Sequence, residues 1–221
     1  MDNTEQIIIS VCTGYGGIES GLKQAGLAVR TVAYVEIEAF AIYNLVKKME
    51  EGQMDTAPIF TDVKSFPFRQ FHRKVHGIIG GYPCQPFSVA GGRAGADDPR
   101  HLWPWIRSGI EQCQPDWCFF ENVEGHLSCG IVQVLSDLEE LGYRVEVGIF
   151  SAEEVGAPHR RKRVFIMAYC NKQGLEKYRS QIISELEKRK GSCATASRSC
   201  EHSWPARPGQ QQHEWEPPRV C

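Results

Sequence analysis

Residues 6–12 form an apolar, β-branched run that passes straight into Thr13-Gly14-Tyr15-Gly16-Gly17, and helical spacing begins directly after it. Strand, glycine turn and helix in that order constrain this chain more than any other feature. Such a start is the first half of a βαβ unit, and βαβ units build parallel sheets with helices on both faces. The alternation continues. Residues 18–25 carry a helical pattern that stops at Gly26, 31–36 a strand, 39–51 a helix, 75–80 a strand and 102–111 a helix. A strand at 117–121 precedes an amphipathic helix at 131–141, with Gly142 as its C-cap. Residues 144–150 and 164–168 read as two further strands. The expected class is α/β, a doubly wound, mostly parallel, Rossmann-like sheet. Ligands of such sheets sit at the carboxyl ends of the strands. The glycine turn, Glu36, Cys84 and Glu121 all fall at that edge.

The character changes near Asn171. Leu175, Tyr178, Ile182, Ile183 and Leu186 recur at helical spacing among charges. From Gly191 onward Ser, Arg, Pro, Gly and Gln dominate without periodicity, which predicts loop or disorder. The expected organisation is a catalytic unit over 1–170 and a helix with an irregular tail over 171–221.

Composition excludes several classes. No apolar run approaches the ~18 residues of a membrane span, and the first residues lack a basic n-region, so neither an anchor nor a signal peptide is expected. Nine cysteines, an odd number scattered from Cys12 to Cys221, fit a reduced cytoplasmic protein better than a disulfide framework. They include no Cys-x-x-Cys pair, and Cys193, Cys200 and His202 match no common zinc spacing, so no metal is expected. The net charge of −2 hides an asymmetry. Residues 1–150 hold 12 Lys+Arg against 19 Asp+Glu, whereas 151–221 hold 13 against 8. The basic half suits a polyanion, though a solvated face explains most charge runs.

Two segments carry candidate chemistry. Glycines in 13–17 let a ligand approach the backbone closely, and the helix N-terminus behind them favours an anionic group. Glu36, at the end of the second strand, can accept bonds from ribose hydroxyls. A tight structural turn reads equally well from these residues alone. The second segment is sharper: Gly80-Gly81-Tyr82-Pro83-Cys84-Gln85-Pro86-Phe87-Ser88. A cysteine flanked by prolines after a strand has a stiff backbone and a fixed side-chain direction, which suits a nucleophile better than a small core residue.

Pro-Cys-Gln-Pro-Phe-Ser at 83–88 resembles the catalytic motif of the DNA (cytosine-5)-methyltransferases, bacterial and phage type. Glu121-Asn122-Val123 resembles that family's second catalytic motif, and 157–165, Ala-Pro-His-Arg-Arg-Lys-Arg-Val-Phe, its third. The turn at 13–17 resembles its cofactor loop, and Thr61-Asp62-Val63 stands where the family has an adenine-contacting acid. The resemblance implies methyl transfer from S-adenosylmethionine to C5 of cytosine in duplex DNA, on a base flipped out of the stack. Cys84 would add to C6, Glu121 would act at N3, Arg161 would hold O2, and Asn122 would orient the loop. Thr13, Gly14, Gly16, Gly17, Glu36, Ile37, Asp62, Val63, Pro83 and Leu102 would bind the cofactor. Gln85, Ser88 and Arg163 would touch the substrate.

Plainer readings stand beside these. Glu121 alone is an ordinary strand-end carboxylate, Asp62 can merely cap a turn, and Ile37 can pack in the core. Arg161 and Arg163 can form a solvated face. The chain departs from the family pattern at Ser10, where an acid is common, and at His159, where Gln is frequent. The target-recognition region and the closing Asn-Val element are not found. The expectation is therefore a split-enzyme subunit with a second chain, a truncated or impaired product, or an excised piece. An RNA cytosine-5 methyltransferase is the other enzymatic reading.

Overall fold

The computed structural model describes residues 4–83, 102–128 and 130–170. These divide into two compact units, 4–150 with 162–170, and 151–161. No helix among the described residues is long and apolar enough to cross a membrane.

The first unit is a seven-stranded sheet in the order β3-β2-β1-β4-β5-β7-β6. The strands are β1 (Gln6–Val11), β2 (Val29–Val35), β3 (Ile59–Phe60), β4 (Gly77–Gly80), β5 (Trp117–Val123), β6 (Tyr143–Ser151) and β7 (Lys162–Cys170). β1, β2, β3, β4 and β5 pair in parallel, and β7 runs antiparallel to β5. The mostly parallel sheet is thus the expected one, with a reversed strand at the β5 side. β3 is too short for periodicity to reveal. The helices are α1 (Gly17–Gln24), α2 (Ala39–Glu50), α3 (Trp103–Cys113) and α4 (Ile131–Glu140).

Side-chain alternation along each strand assigns the two faces. Ile9, Val11, Ala33, Val35, Ile78, Cys118 and Phe120 enter one core with Trp103, Ile106 and Ile110 of α3 and Val134 and Leu138 of α4. On the other face Ile8, Ile79 and Trp117 meet Ile18 and Leu22 of α1. Tyr34 and Leu45 pack with Met54 in a third cluster.

β4 is squeezed on both sides. A Cβ at Gly77 would lie 2.5 Å from the Trp117 ring, and one at Gly80 would lie 2.4 Å from the Val11 carbonyl oxygen. Only glycine allows β1 and β5 to approach it so closely.

Candidate active site

The site is built at the carboxyl ends of β1, β2, β4 and β5. On the β1 side, Cys12 turns the chain with φ +50, and Gly14 and Gly16 follow at +56 and +74. These left-handed values suit glycine. At Gly16 a Cβ would also strike the Met54 thioether, 2.5 Å away. Gly16 caps α1 and Gly17 opens it. The buried Thr13 hydroxyl lies 3.0 Å from Oγ of Ser10, so Ser10 fills its place as a hydrogen-bond partner rather than as an acid. Lys48 Nζ donates to the Tyr15 carbonyl at 2.6 Å and ties the turn to α2.

Glu36 closes this side. Its Oε2 accepts the Gly14 amide at 2.7 Å, and its Oε1 accepts the Glu38 amide at 2.9 Å. A carboxylate has about four acceptor positions, so each oxygen can still receive a hydroxyl. Ile37, next in the chain, is 69% exposed. Burial, and then the Glu36 charge, push the Cys12 thiol up to about 12, so that thiol stays protonated at neutral pH.

Asp62 Oδ1 accepts the Lys64 amide at 2.9 Å, the geometry of a turn cap. Val63 is buried among Phe66, Phe68 and Val75, and Leu102 lies at the start of α3, half-buried against the same core.

On the β5 side, Glu121 Oε1 lies 2.6 Å from Nε of Arg163. The register explains the pair: Glu121 opposes Phe165 and Val123 opposes Arg163, so acid and guanidinium are diagonal neighbours on one face. The other carboxylate oxygen lies 3.3 Å from where a Gly81 Cβ would stand. Arg163 also donates from Nη1 to the Lys162 carbonyl at 2.9 Å. Asn122 is buried and faces the opposite way. Its Nδ2 donates to the Tyr82 carbonyl at 3.1 Å, and its Oδ1 accepts the Val123 amide at 2.9 Å. Pro83 follows, exposed. Cys84, Gln85 and Ser88 lie outside the described residues.

The second unit holds Arg161, at φ +20. There Ala152 and Ala157 donate to the Arg160 and Ala152 carbonyls at 3.0 and 2.9 Å, and Arg160 pairs with Glu153 at 3.6 Å.

The structure therefore groups Thr13, Gly14, Gly16 and Glu36 in one cluster, and Glu121, Asn122 and Arg163 at the other end of the same edge. Sequence reading missed the Glu121–Arg163 partnership, because spacing does not reveal that β7 runs backwards. It also missed Tyr82 and the buried His126 as neighbours of the site. His126 stands only a short step beyond Asn122, which was the available signal. Among the described residues no group of three His, Cys, Asp or Glu side chains could hold a metal ion.

Residues 7–203 match the family described as C-5 cytosine-specific DNA methylase. The chain belongs to that family. Similar methylases include the type II methyltransferase M.AplI of Arthrospira platensis, 32% identical over 75% of this chain and 46% of its own length. M.NaeI of Lentzea aerocolonigenes is 34% identical over 75% of this chain and 40% of its own. The chain thus spans less than half the length of either relative. In fold it resembles the Dnmt2 methyltransferase of S. pombe, with a TM-score of 0.63 at 22% identity over 76% of this chain and 52% of that one. A DNMT2 mutant from Spodoptera frugiperda gives 0.62 at 24% over 76% and 51%.

Proposed function

We propose that this chain transfers a methyl group from S-adenosylmethionine to C5 of cytosine in duplex DNA, through a covalent bond between Cys84 and C6 of a flipped-out base. The Glu121–Arg163 pair at 2.6 Å carries the reading. It holds an acid, paired with a cation, beside Gly81, just upstream of the only cysteine in a Pro-Cys-Gln-Pro setting. A plain nucleotide-binding sheet has no use for such a pair there.

S-adenosylmethionine supplies, when bound, a methyl group on a sulfonium centre. Glu36 fits its ribose, because both oxygens are buried and oriented with acceptor capacity to spare, and Ile37 offers an apolar face to the adenine. The Cys84 thiolate adds to C6 and pushes an electron pair towards N3. Glu121 hydrogen-bonds N3 and relieves that charge, while Arg163 holds Glu121 in place. Arg161 is the guanidinium group proposed for the base O2 and the thiolate, and Arg163 is proposed to touch the substrate as well. C5 would then take the methyl group as its bond to the sulfonium sulfur breaks and the neutral thioether leaves; loss of the C5 proton to a base or water and cleavage of the Cys84–C6 bond would restore the ring. Neighbouring positive charge favours the thiolate over a free thiol of pKa about 8.5.

Radiolabelled transfer to mixed-sequence duplex DNA, with Cys84→Ser alongside, tests this. The expected result is label with the wild type only, with S-adenosylmethionine binding intact in the variant. Label that needs an added second polypeptide makes the chain one half of a split enzyme. Equal label with Cys84→Ser overturns the covalent mechanism.

A further inference from the structure

The last residue before Pro83-Cys84 is gripped at both ends. Tyr82 is buried, and its phenol oxygen lies 3.1 Å from Nε2 of the buried His126. Its carbonyl accepts Nδ2 of Asn122 at 3.1 Å. Asn122 is the last residue but one of β5, and His126 stands on the short 3₁₀ turn Glu124–Leu127 that follows. One stretch of chain therefore holds the side chain and the main chain of Tyr82 together.

The ring between these two grips is walled in. Trp103 lies 5.4 Å away, and Phe120 and the His126 ring lie edge-on at 5.7 and 5.6 Å. Trp103 is itself anchored, since its Nε1 donates to Asp137 of α4 at 2.6 Å. Asp137 in turn faces Arg107 at 3.4 Å and receives Gln133 at 2.8 Å. An all-hydrocarbon wall would let a ring slide. A buried phenol and imidazole must keep a partner, because an unpaired polar group in such a wall is costly.

Backbone geometry carries this constraint forward. The Tyr82–Pro83 peptide is planar, so fixing the Tyr82 carbonyl fixes the whole plane. The Pro83 ring then locks its own φ. Between the grip on Tyr82 and the Cα of Cys84 only one soft torsion remains, the ψ of Pro83. We infer that Tyr82 and His126 form a positioning pair that sets the direction from which Cys84 meets the base. The inference rests on the reading of Cys84 as the nucleophile. Neither residue touches the reacting atoms.

Two measurements on the full chain test the pair in His126→Phe, Tyr82→Phe, the double variant and His126→Gln, whose amide can reach the place of Nε2. The first is amide hydrogen exchange. Either Phe variant should speed exchange of the peptide covering 79–82 by about five- to tenfold, the worth of one buried hydrogen bond. The double variant should add little, as expected of two residues sharing one interaction. His126→Gln should restore most of the protection, and a β1 peptide should not change. The second is covalent capture by duplex DNA carrying 5-fluorocytosine. Capture should slow by about tenfold or more, since small misplacements of a reacting group are expensive, with the KM for S-adenosylmethionine unchanged. Wild-type exchange in His126→Phe, or equal loss of protection in β1, overturns the inference. A wild-type chain that captures no DNA even with an added second polypeptide, while its exchange still responds to His126, defeats the methyl-transfer reading on which the inference rests and leaves Tyr82 and His126 a structural contact.

Discussion

The two ends of the functional edge are held by different means. At the β1–β2 end, a single carboxylate, Glu36, is fixed by backbone amides close to it in space, those of Gly14 and Glu38. At the β4–β5 end, side chains reach distant parts of the sequence: Glu121 pairs with Arg163, and Asn122 donates to the Tyr82 carbonyl. The first device depends on the shape of a turn, the second on strand register. The first therefore tolerates changes that keep the turn, whereas the second fails when either member of a pair is lost.

The largest effect should follow from cutting the second device. Arg163→Ala leaves Glu121 without its cation and should lower kcat by about 10²–10³-fold, the range for losing a preorganised charged group, with little change in S-adenosylmethionine binding. Arg163→Lys should recover only part of this, because a point charge does not reproduce the guanidinium fork. Single-turnover methylation at saturating cofactor separates the two, and wild-type turnover in Arg163→Ala would remove Arg163 from the site.

Glu36→Ala cuts the first device and should read out differently. It should weaken S-adenosylmethionine binding by about ten- to a hundredfold, the value of hydrogen bonds to a charged group, while kcat at saturation holds. Calorimetry checks this, and an unchanged dissociation constant would cancel the ribose assignment.

The smallest effect lies beneath the glycine turn. Glu19 of α1 is 3% exposed, and its Oε1 has no hydrogen-bond partner. Burial raises its pKa, opposed by the Ser10 hydrogen bond and the Lys23 and Lys48 charges. A carboxyl raised in the folded state stabilises fully below the ordinary carboxylate pKa and loses that contribution as pH rises through the folded value. Glu19→Gln should therefore flatten the fall of Tm with rising pH, by about 2–4 °C over the interval. An identical slope in the variant would show that Glu19 titrates as an ordinary carboxyl.

The same contrast explains what the sequence made legible. The glycine turn and Glu36 are local or follow from strand ends, and both could be read before any fold was known. Every principal helix and all strands except β3 were anticipated from periodicity. Most of their ends shift by one or two residues without consequence, but the extension of β7 back to Lys162 matters more, because it brings Arg163 into the sheet. The partnership of Glu121 with Arg163, which come from different strands, depends on an antiparallel register that spacing does not encode. His126 was hard to single out for a related reason, its nearness to Asn122 being the one signal. A lone histidine in a loop carries no pattern, and its importance comes from the tyrosine that the fold sets opposite it.

The strand that runs towards Cys84 has almost no freedom to vary. β4 consists of Gly77, Ile78, Ile79 and Gly80, with Gly81 directly beyond it. Its two end positions are closed to any side chain by Trp117 and by the Val11 carbonyl, and Gly81 leaves a Cβ only a tight gap beside Glu121. Two isoleucines, both fully buried, are all that remains to vary. This strand is thus nearly silent to evolutionary tinkering: a lineage exploring new target preferences would find almost no viable single substitutions in it, and would have to rework the surrounding loops while this rail stays as it is.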